Sequence, residues 1–377
     1  MKVIHFISGG DTGGAKTHVL SLLKNLSKLN IDVSLLCIME GVFTEEAKEL
    51  GIPVKIIPQE KRYDITVFGK IAEYINNSGA DLVHCHGARA NYITLFIRHK
   101  VKIPMITTLH SDYKLDFAGN FKKNLIYTPI NAFALRKFSC ILTVTKSFRD
   151  MMEKRGFKAE RLKVIYNGID MENIPPVISK AKFLEKYCPG EVKNKLLVGI
   201  AARFQAVKGV DVFIKAAERV LNKRNDTAFL IAGDGDDGET LKSYVKEHNI
   251  KGIYFLGQLP YDVIDSFYNA LDISVLSSYS ESFPYALLEG GRRKRASVST
   301  LAGGVAEMID NEKTGLLSPV GDFEKLGDNI DRLLSDEGLR NMLGKNFYNK
   351  INSDFSLVSM AKRHVKIYSE VIENEKA

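Results

Sequence analysis

The sequence contains no tryptophan, only four cysteines and ten prolines among 377 residues, and no long hydrophobic run. No apolar segment approaches the roughly 20 residues that a helix needs to cross a bilayer. The apolar part of the N-terminal MKVIHFISGG is too short for a secretory signal peptide and is predicted to be a strand. The cysteines lie far apart without a C-x-x-C pair, which is typical of reduced, buried thiols. We therefore expect a cytoplasmic protein.

The length and the apolar pattern predict two α/β domains. One hydrophobic core rarely grows beyond 250 to 300 residues, so 377 residues favour two domains. Short apolar segments alternate with segments of helical period, which predicts parallel sheets covered by helices on both faces. The predicted strands are 3–7, 33–38, 54–57, 82–85, 105–109, 141–144, 163–165, 196–201, 227–232, 253–256, 273–276 and 297–300.

Two prolines in NIPP, at 173–176, interrupt this alternation and mark a domain boundary. We place an N-terminal domain at 1–172 and a C-terminal domain at 173–354. The last segment, 355–377, is predicted to be an amphipathic helix with no strand after it.

Positive charge is concentrated in the first half. Residues 1–172 contain 25 Lys and Arg against 17 Asp and Glu, whereas the remainder contains 28 of each. An anionic partner is therefore expected for the first half: a lipid headgroup surface, a phosphorylated acceptor or nucleic acid. The segment 121–138, FKKNLIYTPINAFALRKF, suits a helix lying on an anionic membrane, and equally a domain helix with basic edges. No nucleic-acid reader motif is present, so we expect no nucleic-acid partner and a protein that can lie peripherally on the inner face of the membrane.

The stretch 273–309 joins a predicted buried strand, a polar loop and a helix that starts at Pro284. Glu281 lies just beyond the carboxyl end of the strand, where open α/β sheets bind ligands. Glu289 follows about a turn and a half into the helix, whose first amides would face an anion. Two acids near a helix start can also simply interact favourably with the helix dipole, so the spacing leaves both a ligand-binding role and a purely structural role open.

Two other strand–loop–helix turns contain candidate phosphate-binding groups. In VGIAARFQAVKGVD, Arg203 and Lys208 supply two positive charges that match a leaving diphosphate, although surface cations are usually only solvated. In SGGDTGGAKTHV, Gly13 and Gly14 would let a phosphate approach the start of a helix. The pattern GG-x-x-GG differs from the dinucleotide fingerprint, but Glu40 could serve as a ribose acid, so a nicotinamide-dependent dehydrogenase stays an alternative.

Histidines end two of the predicted strands. His84 and His86 flank Cys85, and alternation places both on one face, which could indicate a metal. No further ligands at sensible spacing accompany them, so we predict no metal. His110 ends the strand of TTLHSD, where a histidine is either structural or catalytic.

Several of these segments together resemble the retaining glycosyltransferases of family 4, GT-B fold enzymes that transfer sugars from nucleotide sugars. The resemblance covers nearly the whole chain and is strongest in VGIAARFQAVKGVD, ESFPYALLE, GGVAEMI and NEKTGLLSPVGD. It implies two Rossmann-like, doubly wound domains facing each other across a cleft, with the C-terminal helix crossing back to the first domain. It also implies an acceptor-side first domain, a donor-binding second domain, and catalysis without a metal or other cofactor.

The resemblance further implies roles for individual residues. Arg203 and Lys208 would stabilise the departing diphosphate, and Glu281 and His110 would hold the transferred sugar, so these four are the predicted catalytic residues. Glu289 would hold the ribose hydroxyls. The predicted donor-binding residues are Gly13, Gly14, Arg203, Lys208, Gly233, Gly257, Glu281, Ser282, Phe283, Pro284 and Glu289, and the predicted acceptor-side residues are Lys16, His86 and Asn91. Lys16 replaces the Glu usual in the family.

After Glu289 the sequence departs from the family with GGRRKR, residues 290–295. Two glycines weaken a helix by about 1 kcal/mol each, so this helix is predicted to be short or closely packed. The basic run is predicted to be a solvated helix end, with a localisation or nucleic-acid patch as alternatives.

We expect a retaining, metal-independent hexosyltransferase that moves a hexose or N-acetylhexosamine from a nucleotide diphosphate sugar, such as a UDP-sugar, to a hydroxyl. The acceptor would be a saccharide or a lipid-linked saccharide in cell-envelope or exopolysaccharide glycan synthesis. A catalytically inactive nucleotide-sugar-binding sensor is the main alternative.

Overall fold

The computed structural model describes residues 1–10, 14–60, 64–110, 112–114 and 121–376. They form two compact units, one of Met1–Gly168 with Leu357–Ala377 and one of Ile169–Ser356. The sequence-based division places the corresponding boundaries at 172/173 and 354/355. Among the helices in these ranges, none combines the length and the hydropathy that a bilayer span requires.

The strands of the described residues are β1 (Lys2–Ile7), β2 (Asp32–Cys37), β3 (Val54–Ile56), β4 (Leu82–His86), β5 (Met105–Leu109), β6 (Cys140–Thr143), β7 (Leu162–Val164), β8 (Leu196–Ala201), β9 (Thr227–Ala232), β10 (Ile253–Gly257), β11 (Ile273–Leu276), β12 (Ala296–Thr300) and β13 (Leu316–Ser318). The α-helices are α1 (Gly14–Lys28), α2 (Val42–Glu49), α3 (Thr66–Asn77), α4 (Gly87–Ile97), α5 (Phe121–Leu135), α6 (Lys146–Lys154), α7 (Lys180–Tyr187), α8 (Val210–Leu221), α9 (Gly238–Glu247), α10 (Ile264–Ala270), α11 (Tyr285–Arg292), α12 (Val305–Met308), α13 (Phe323–Ser335), α14 (Glu337–Asp354) and α15 (Leu357–Lys376).

The first unit is built on a parallel sheet in the order β3-β2-β1-β4-β5-β6-β7. Every residue of β4 and β5 is buried, as expected for strands covered on both faces. One face packs against α3 and α4 through Phe6 and Val83, and the other against α1 and α15 through Val3 and Leu82. The strand order reverses between β1 and β4, which creates a topological switch point at the carboxyl ends of these strands.

The second unit repeats this plan with a parallel sheet in the order β10-β9-β8-β11-β12-β13. Its switch point lies between β8 and β11. The twelve predicted strands are all present, and the predicted pair of Rossmann-like α/β domains is confirmed. The thirteenth strand, β13, was not predicted.

The final helix, α15, belongs to the first unit although it follows the second in sequence. Met360, Ala361 and Tyr368 are buried in the same hydrophobic cluster as Val3 and Leu22. The Tyr368 hydroxyl lies 2.7 Å from Nδ1 of His84 in β4. The predicted return of the C-terminal helix to the first domain is therefore confirmed.

Candidate active site

Two loops meet at the switch point of the second unit, one after β8 and one after β11. The Ser277 hydroxyl donates to the carbonyl of Gly209 at 2.7 Å, and the Tyr279 amide donates to the carbonyl of Val207 at 2.8 Å. These bonds fix the start of α8 against the end of β11. The residues that follow β8 and β11 are thereby held side by side.

Gly209 makes this approach possible. Its φ is +59°, and a Cβ atom there would lie 2.1 Å from the backbone oxygen of Ser277. Any larger residue would force the two loops apart, and L-residues also disfavour this left-handed conformation.

Lys208 and Glu281 form an ion pair across these loops. Nζ of Lys208 lies 2.7 Å from Oε1 of Glu281, and the Ser278 hydroxyl donates to the same oxygen at 2.7 Å. The Glu281 side chain is only 9% exposed, whereas that of Lys208 is 30% exposed. The predicted diphosphate cation and the predicted sugar-binding acid are thus neighbours.

Arg203 and Glu289 face one cavity of about 530 Å³. The Arg203 guanidinium is exposed and has no hydrogen-bond or ion-pair partner among the described residues. Its charge is therefore available to a ligand. The other residues that line the cavity are Ala201, Ala202, Ala232, Gly233, Asp234, Gly235, Gln258, Leu259 and Ile264.

Two predicted donor-binding glycines differ in their surroundings. A Cβ atom on Gly233 would lie 1.8 Å from the carbonyl oxygen of Ala202, so this glycine is required for the β8 and β9 loops to pack. Gly257 has a φ of +69° but nothing within 4 Å of such an atom, and its carbonyl accepts a hydrogen bond from the amide of Gly233. Gly233 lines the cavity directly, and Gly257 contacts it through this backbone hydrogen bond.

Glu289 has an unusual protonation equilibrium. Burial raises the pKa of its carboxyl to about 7, the Arg292 guanidinium lowers it, and the Asp265 carboxylate raises it. A group with this pKa is protonated in about half of the molecules near neutral pH.

The segment between the two acids leads into α11 as predicted. Ser282 is half-buried, Phe283 is buried with its ring 5.3 Å from that of Phe355, and Pro284 is the residue immediately before the helix. The amides at this helix start face away from the helix, where an anion would be stabilised.

The glycines after Glu289 allow close packing, as predicted. The helix α11 has only eight residues. A Cβ atom on Gly290 would lie 2.7 Å from the Ser274 hydroxyl, and one on Gly291 would lie 2.3 Å from Cδ1 of Ile351.

The prediction that the following basic run is a solvated helix end is wrong for its arginines. Arg292 and Arg293 have side chains only 7% and 12% exposed, and both donate to Asp265, at 2.5 and 2.8 Å. Arg292 also donates to the carbonyl of Asp170, and Arg293 to that of Pro175. The two guanidinium groups therefore bind α10 and the start of the second unit to the end of α11.

In the first unit, the predicted acceptor-side residues already have partners. Nζ of Lys16 lies 2.6 Å from Oε1 of Glu46. Asn91 is 1% exposed and accepts a hydrogen bond from the Thr107 hydroxyl at 2.8 Å. His86 is also only 1% exposed, so these two side chains lie below the surface rather than lining an open wall. Their acceptor roles stay predictions.

The structure describes only part of the glycine-rich turn that precedes Lys16. Gly14 is the first residue of α1, whereas Gly13 lies outside the described residues. Their predicted contacts with the donor stay predictions.

His110 lies at the end of β5, partly exposed, with its ring centroid 4.6 Å from that of His18. Burial of its imidazole lowers its pKa to about 4, so His110 is neutral at pH 7. Its Nε2 atom has no hydrogen-bond partner among the described residues.

His84 and His86 project from one face of β4, as predicted, with ring centroids 4.2 Å apart. No further ligands stand at metal-binding spacing in the sequence, but the fold brings other histidines close to these two. Side chains distant in sequence, from β1, α1, β5 and α15, complete a cluster of six histidines: His5, His18, His84, His86, His110 and His364. Single-sequence spacing could not reveal this cluster, because only the fold brings these residues together.

Comparisons with known proteins decide the family. The family model for Glycosyltransferase Family 4 matches residues 12–173, and that for Glycosyl transferases group 1 matches residues 186–350. The chain belongs to glycosyltransferase family 4. The predicted recognition and the GT-B fold are confirmed, and the family favours a transferase over the dehydrogenase alternative. Glu40, the acid that suggested one, pairs with Lys48 at 3.1 Å.

Several relatives match this glycosyltransferase over most of its length. The N,N'-diacetylbacillosaminyl-diphospho-undecaprenol alpha-1,3-N-acetylgalactosaminyltransferase of Campylobacter jejuni is 27% identical, covering 88% of this chain and 89% of its own. The N-acetyl-alpha-D-glucosaminyl L-malate synthase of Bacillus anthracis is 26% identical, covering 83% and 81%. Among solved structures, Anabaena HepE in complex with UDP superimposes with a TM-score of 0.83 at 20% identity, covering 98% and 100%.

Proposed function

We propose that this family 4 enzyme is a retaining glycosyltransferase that moves a hexose or N-acetylhexosamine from a nucleotide diphosphate sugar to a hydroxyl. The acceptor is a saccharide or a lipid-linked saccharide, and the product enters cell-envelope or exopolysaccharide glycan synthesis. The observation that most supports this function is the cavity at the second switch point, where Arg203, which has no ion-pair partner among the described residues, and Glu289 line the same wall.

The donor assignment rests on the chemistry of that cavity. A diphosphate needs positive charge and amides, which Arg203, Lys208 and the start of α11 supply. Ribose hydroxyls need a carboxylate acceptor, which Glu289 supplies. The complex of HepE with UDP supports a uridine diphosphate donor over other nucleotides.

In this proposal Arg203 and Lys208 stabilise the charge that develops on the leaving diphosphate. The bond between the anomeric carbon and the phosphate oxygen breaks, and the acceptor oxygen forms its bond on the same face of the sugar. The acceptor proton passes to the departing phosphate oxygen, so the step needs neither a covalent nucleophile nor a metal.

His110 and Glu281 hold the transferred sugar in the proposal. Because His110 is neutral at pH 7, it can donate one hydrogen bond and accept another. The names of the relatives from Campylobacter jejuni and Bacillus anthracis support an acceptor hydroxyl, lipid-linked in the first case.

An anionic surface is the proposed second partner of the first unit, which would make the enzyme a cytoplasmic protein that binds the membrane peripherally. A cavity of about 520 Å³ lies where β5 and β6 begin. Five cationic side chains and one acidic side chain line it: Arg98, Lys102, Arg136, Lys137, Arg161 and Glu375. An excess of cations in a concave surface attracts phosphorylated headgroups.

Ligand screening tests the donor. The melting temperature is measured with UDP-, GDP- and ADP-sugars, since a ligand that binds only the native state raises it. The expected result is a rise with a UDP-sugar and little change with the other two. No rise with any nucleotide sugar contradicts the proposed donor site.

Turnover tests the transferase activity against the sensor alternative. UDP release is followed with saccharide and lipid-linked acceptors, with and without EDTA. We expect acceptor-dependent release that EDTA does not stop. Stoichiometric donor binding without release favours a sensor.

Vesicle co-sedimentation of the full chain tests the membrane contact. Binding is expected to phosphatidylglycerol-containing vesicles and not to pure phosphatidylcholine, and it should weaken at high salt. Lys102→Glu with Lys137→Glu should abolish it, and Lys242→Glu on the second unit is the control. Equal binding to both lipids contradicts an electrostatic contact.

A further inference from the structure

Three histidines of the first unit form a compact set of nitrogen ligands. His5, His84 and His86 each contribute a ring nitrogen, and these atoms all lie within 4.8 Å of one another. All three side chains are at most 1% exposed. The donor-site mechanism does not use His5 or His84.

The backbone fixes the positions of these rings. β1 and β4 are adjacent parallel strands in which His5 pairs with His84. Alternation along β4 places His84 and His86 on the same face, and the rings of His5 and His86 stack with an angle of 11° between their planes. Strands at the centre of a sheet hold ligands more firmly than loops do.

The hydrogen bonding of the cluster is incomplete. Nδ1 of His5 lies 3.0 Å from Nε2 of His86. The opposite nitrogens, Nε2 of His5 and Nδ1 of His86, have no partner among the described residues. In the neutral tautomers that this contact requires, one facing nitrogen donates and the other accepts, so one outer nitrogen carries a proton and the other a lone pair. An ion bound between the two facing nitrogens would replace this hydrogen bond and accept a lone pair from each.

Both ring nitrogens of His84 have hydroxyl partners, so a metal ion would take the place of one of these hydroxyls. The Tyr368 hydroxyl lies 2.7 Å from its Nδ1, and the Thr108 hydroxyl lies 2.7 Å from its Nε2. When one nitrogen binds a metal, a hydrogen bond to the other orients the ring and fixes its tautomer.

We propose that His5, His84 and His86 bind one divalent transition-metal ion of the zinc type. Zinc–nitrogen bonds of about 2.0–2.1 Å place tetrahedral ligands roughly 3.3 Å apart. Nδ1 of His5 and Nε2 of His86 are 3.0 Å apart, near this spacing, and one ring nitrogen from each of the three histidines lies within 4.8 Å of the others. Three histidines leave a fourth position for water, and the all-nitrogen ligand set favours Zn²⁺, Co²⁺ or Ni²⁺ over Mg²⁺ or Ca²⁺.

The ion would be structural rather than catalytic. It links β1 to β4 at the switch point of the first unit, and through Tyr368 it adds to the attachment of α15. The proposed sugar transfer needs no metal, so failure of this inference leaves the transferase proposal intact.

The test uses the untagged full chain, because a polyhistidine tag would bind the same ions. After EDTA treatment and its removal, the chain is equilibrated with Zn²⁺ or Co²⁺. We expect one ion per chain by elemental analysis, visible absorption bands of tetrahedral or five-coordinate Co²⁺, and a higher melting temperature with Zn²⁺. Sub-stoichiometric binding or the spectrum of hydrated octahedral cobalt overturns the proposal.

Variants assign the site to these histidines. His5→Gln and His86→Gln should each weaken Zn²⁺ binding at least tenfold, measured by competition with a chromogenic chelator. His248→Gln is the control, since His248 stacks on Tyr244 in the second unit. Unchanged affinity in His5→Gln or His86→Gln overturns the assignment. If these variants fail to fold, the stoichiometry and the cobalt spectrum of the unaltered chain still decide.

Discussion

Nζ of Lys208 lies 2.7 Å from Oε1 of Glu281, so the cation predicted to bind the diphosphate is paired with the acid predicted to bind the sugar. Arg203, by contrast, has no ion-pair partner among the described residues. The two cations are thus proposed to stabilise the same leaving group, but only Lys208 is held in an ion pair. Replacing Lys208 should therefore lower the stability of the fold more than replacing Arg203 does.

Arg203→Ala should lower kcat on the order of 10²–10³-fold with almost no change in melting temperature, because it removes charge stabilisation without breaking an ion pair. Arg332→Ala, which removes a surface pair with Glu312, is the control for loss of a guanidinium group. Steady-state kinetics and thermal melting of both variants measure the difference. Near-normal kcat in a folded Arg203→Ala enzyme contradicts the assigned role.

Lys208→Ala should lower kcat to a similar extent and should also lower the melting temperature. The reason is that Glu281, only 9% exposed, loses a charged partner. Lys215→Ala is the control, since Lys215 pairs with Asp211 on the exposed side of α8. Loss of stability without loss of kcat would make Lys208 a purely structural residue.

Donor binding should depend on pH through Glu289. Its pKa of about 7 means that the carboxylate form, which accepts hydrogen bonds from the ribose, increases from pH 6 to pH 8. The affinity for a UDP-sugar should rise on the order of tenfold over this range, because the ionised fraction of a group with this pKa rises by about that factor. Calorimetric titration at both pH values measures this, and Glu289→Gln should show no such rise.

The same pKa predicts an opposite trend in stability. The folded-state pKa of Glu289 lies above its ordinary value of 4.5, so folding favours the protonated form. The resulting stabilisation is complete below about pH 4.5 and is lost as the pH rises through about 7. Glu289→Gln should therefore gain in melting temperature relative to the unaltered chain more at pH 8 than at pH 5. An equal difference at both pH values contradicts the raised pKa.

Asp265→Asn should destabilise the second unit by about 3–5 kcal/mol, because Arg292 and Arg293 would stay buried without their carboxylate. Urea denaturation measures this change. Glu312→Gln, which breaks an exposed pair with Arg332, should cost no more than about 1 kcal/mol. Similar effects of the two substitutions would mean that the buried network contributes no more than a surface pair.

Gly209→Ala and Gly79→Ala form a matched pair. Both residues have φ near +60° to +70°. A Cβ atom on Gly209 would collide with the backbone oxygen of Ser277, whereas one on Gly79 would have no described atom within 4 Å. Each should cost about 1–2 kcal/mol for the left-handed conformation. Gly209→Ala should cost more and should also lower kcat/KM at least tenfold, because the loop next to Lys208 must move. Equal effects would show that the close packing of the two loops is unimportant.

The sequence predicted the parts of the site that are close in sequence. The strand ends with Arg203, Glu281 and His110 could be located, because apolar runs reveal buried parallel strands and ligands bind at their carboxyl ends. The family resemblance added roles that spacing alone left open.

Contacts between distant segments could not be predicted. The burial of Arg292 depends on Asp265, which lies in a different helix. From the sequence alone, the basic run therefore resembles a solvated surface patch. The six clustered histidines lie in β1, α1, β4 and α15 and directly after β5, and they become neighbours only through the strand order and the packing of α1 and α15 on the sheet.

The position of α15 constrains how the protein is made. The first unit begins the chain, but the helix that completes its core is translated only after the whole of the second unit. During synthesis, the apolar surface formed by Val3, Leu22 and their neighbours therefore stays exposed to solvent. We expect chaperones to bind this surface until Val371 has been translated. Nascent chains stalled after residue 168 should accordingly be sensitive to proteases, however well the sheet itself has formed.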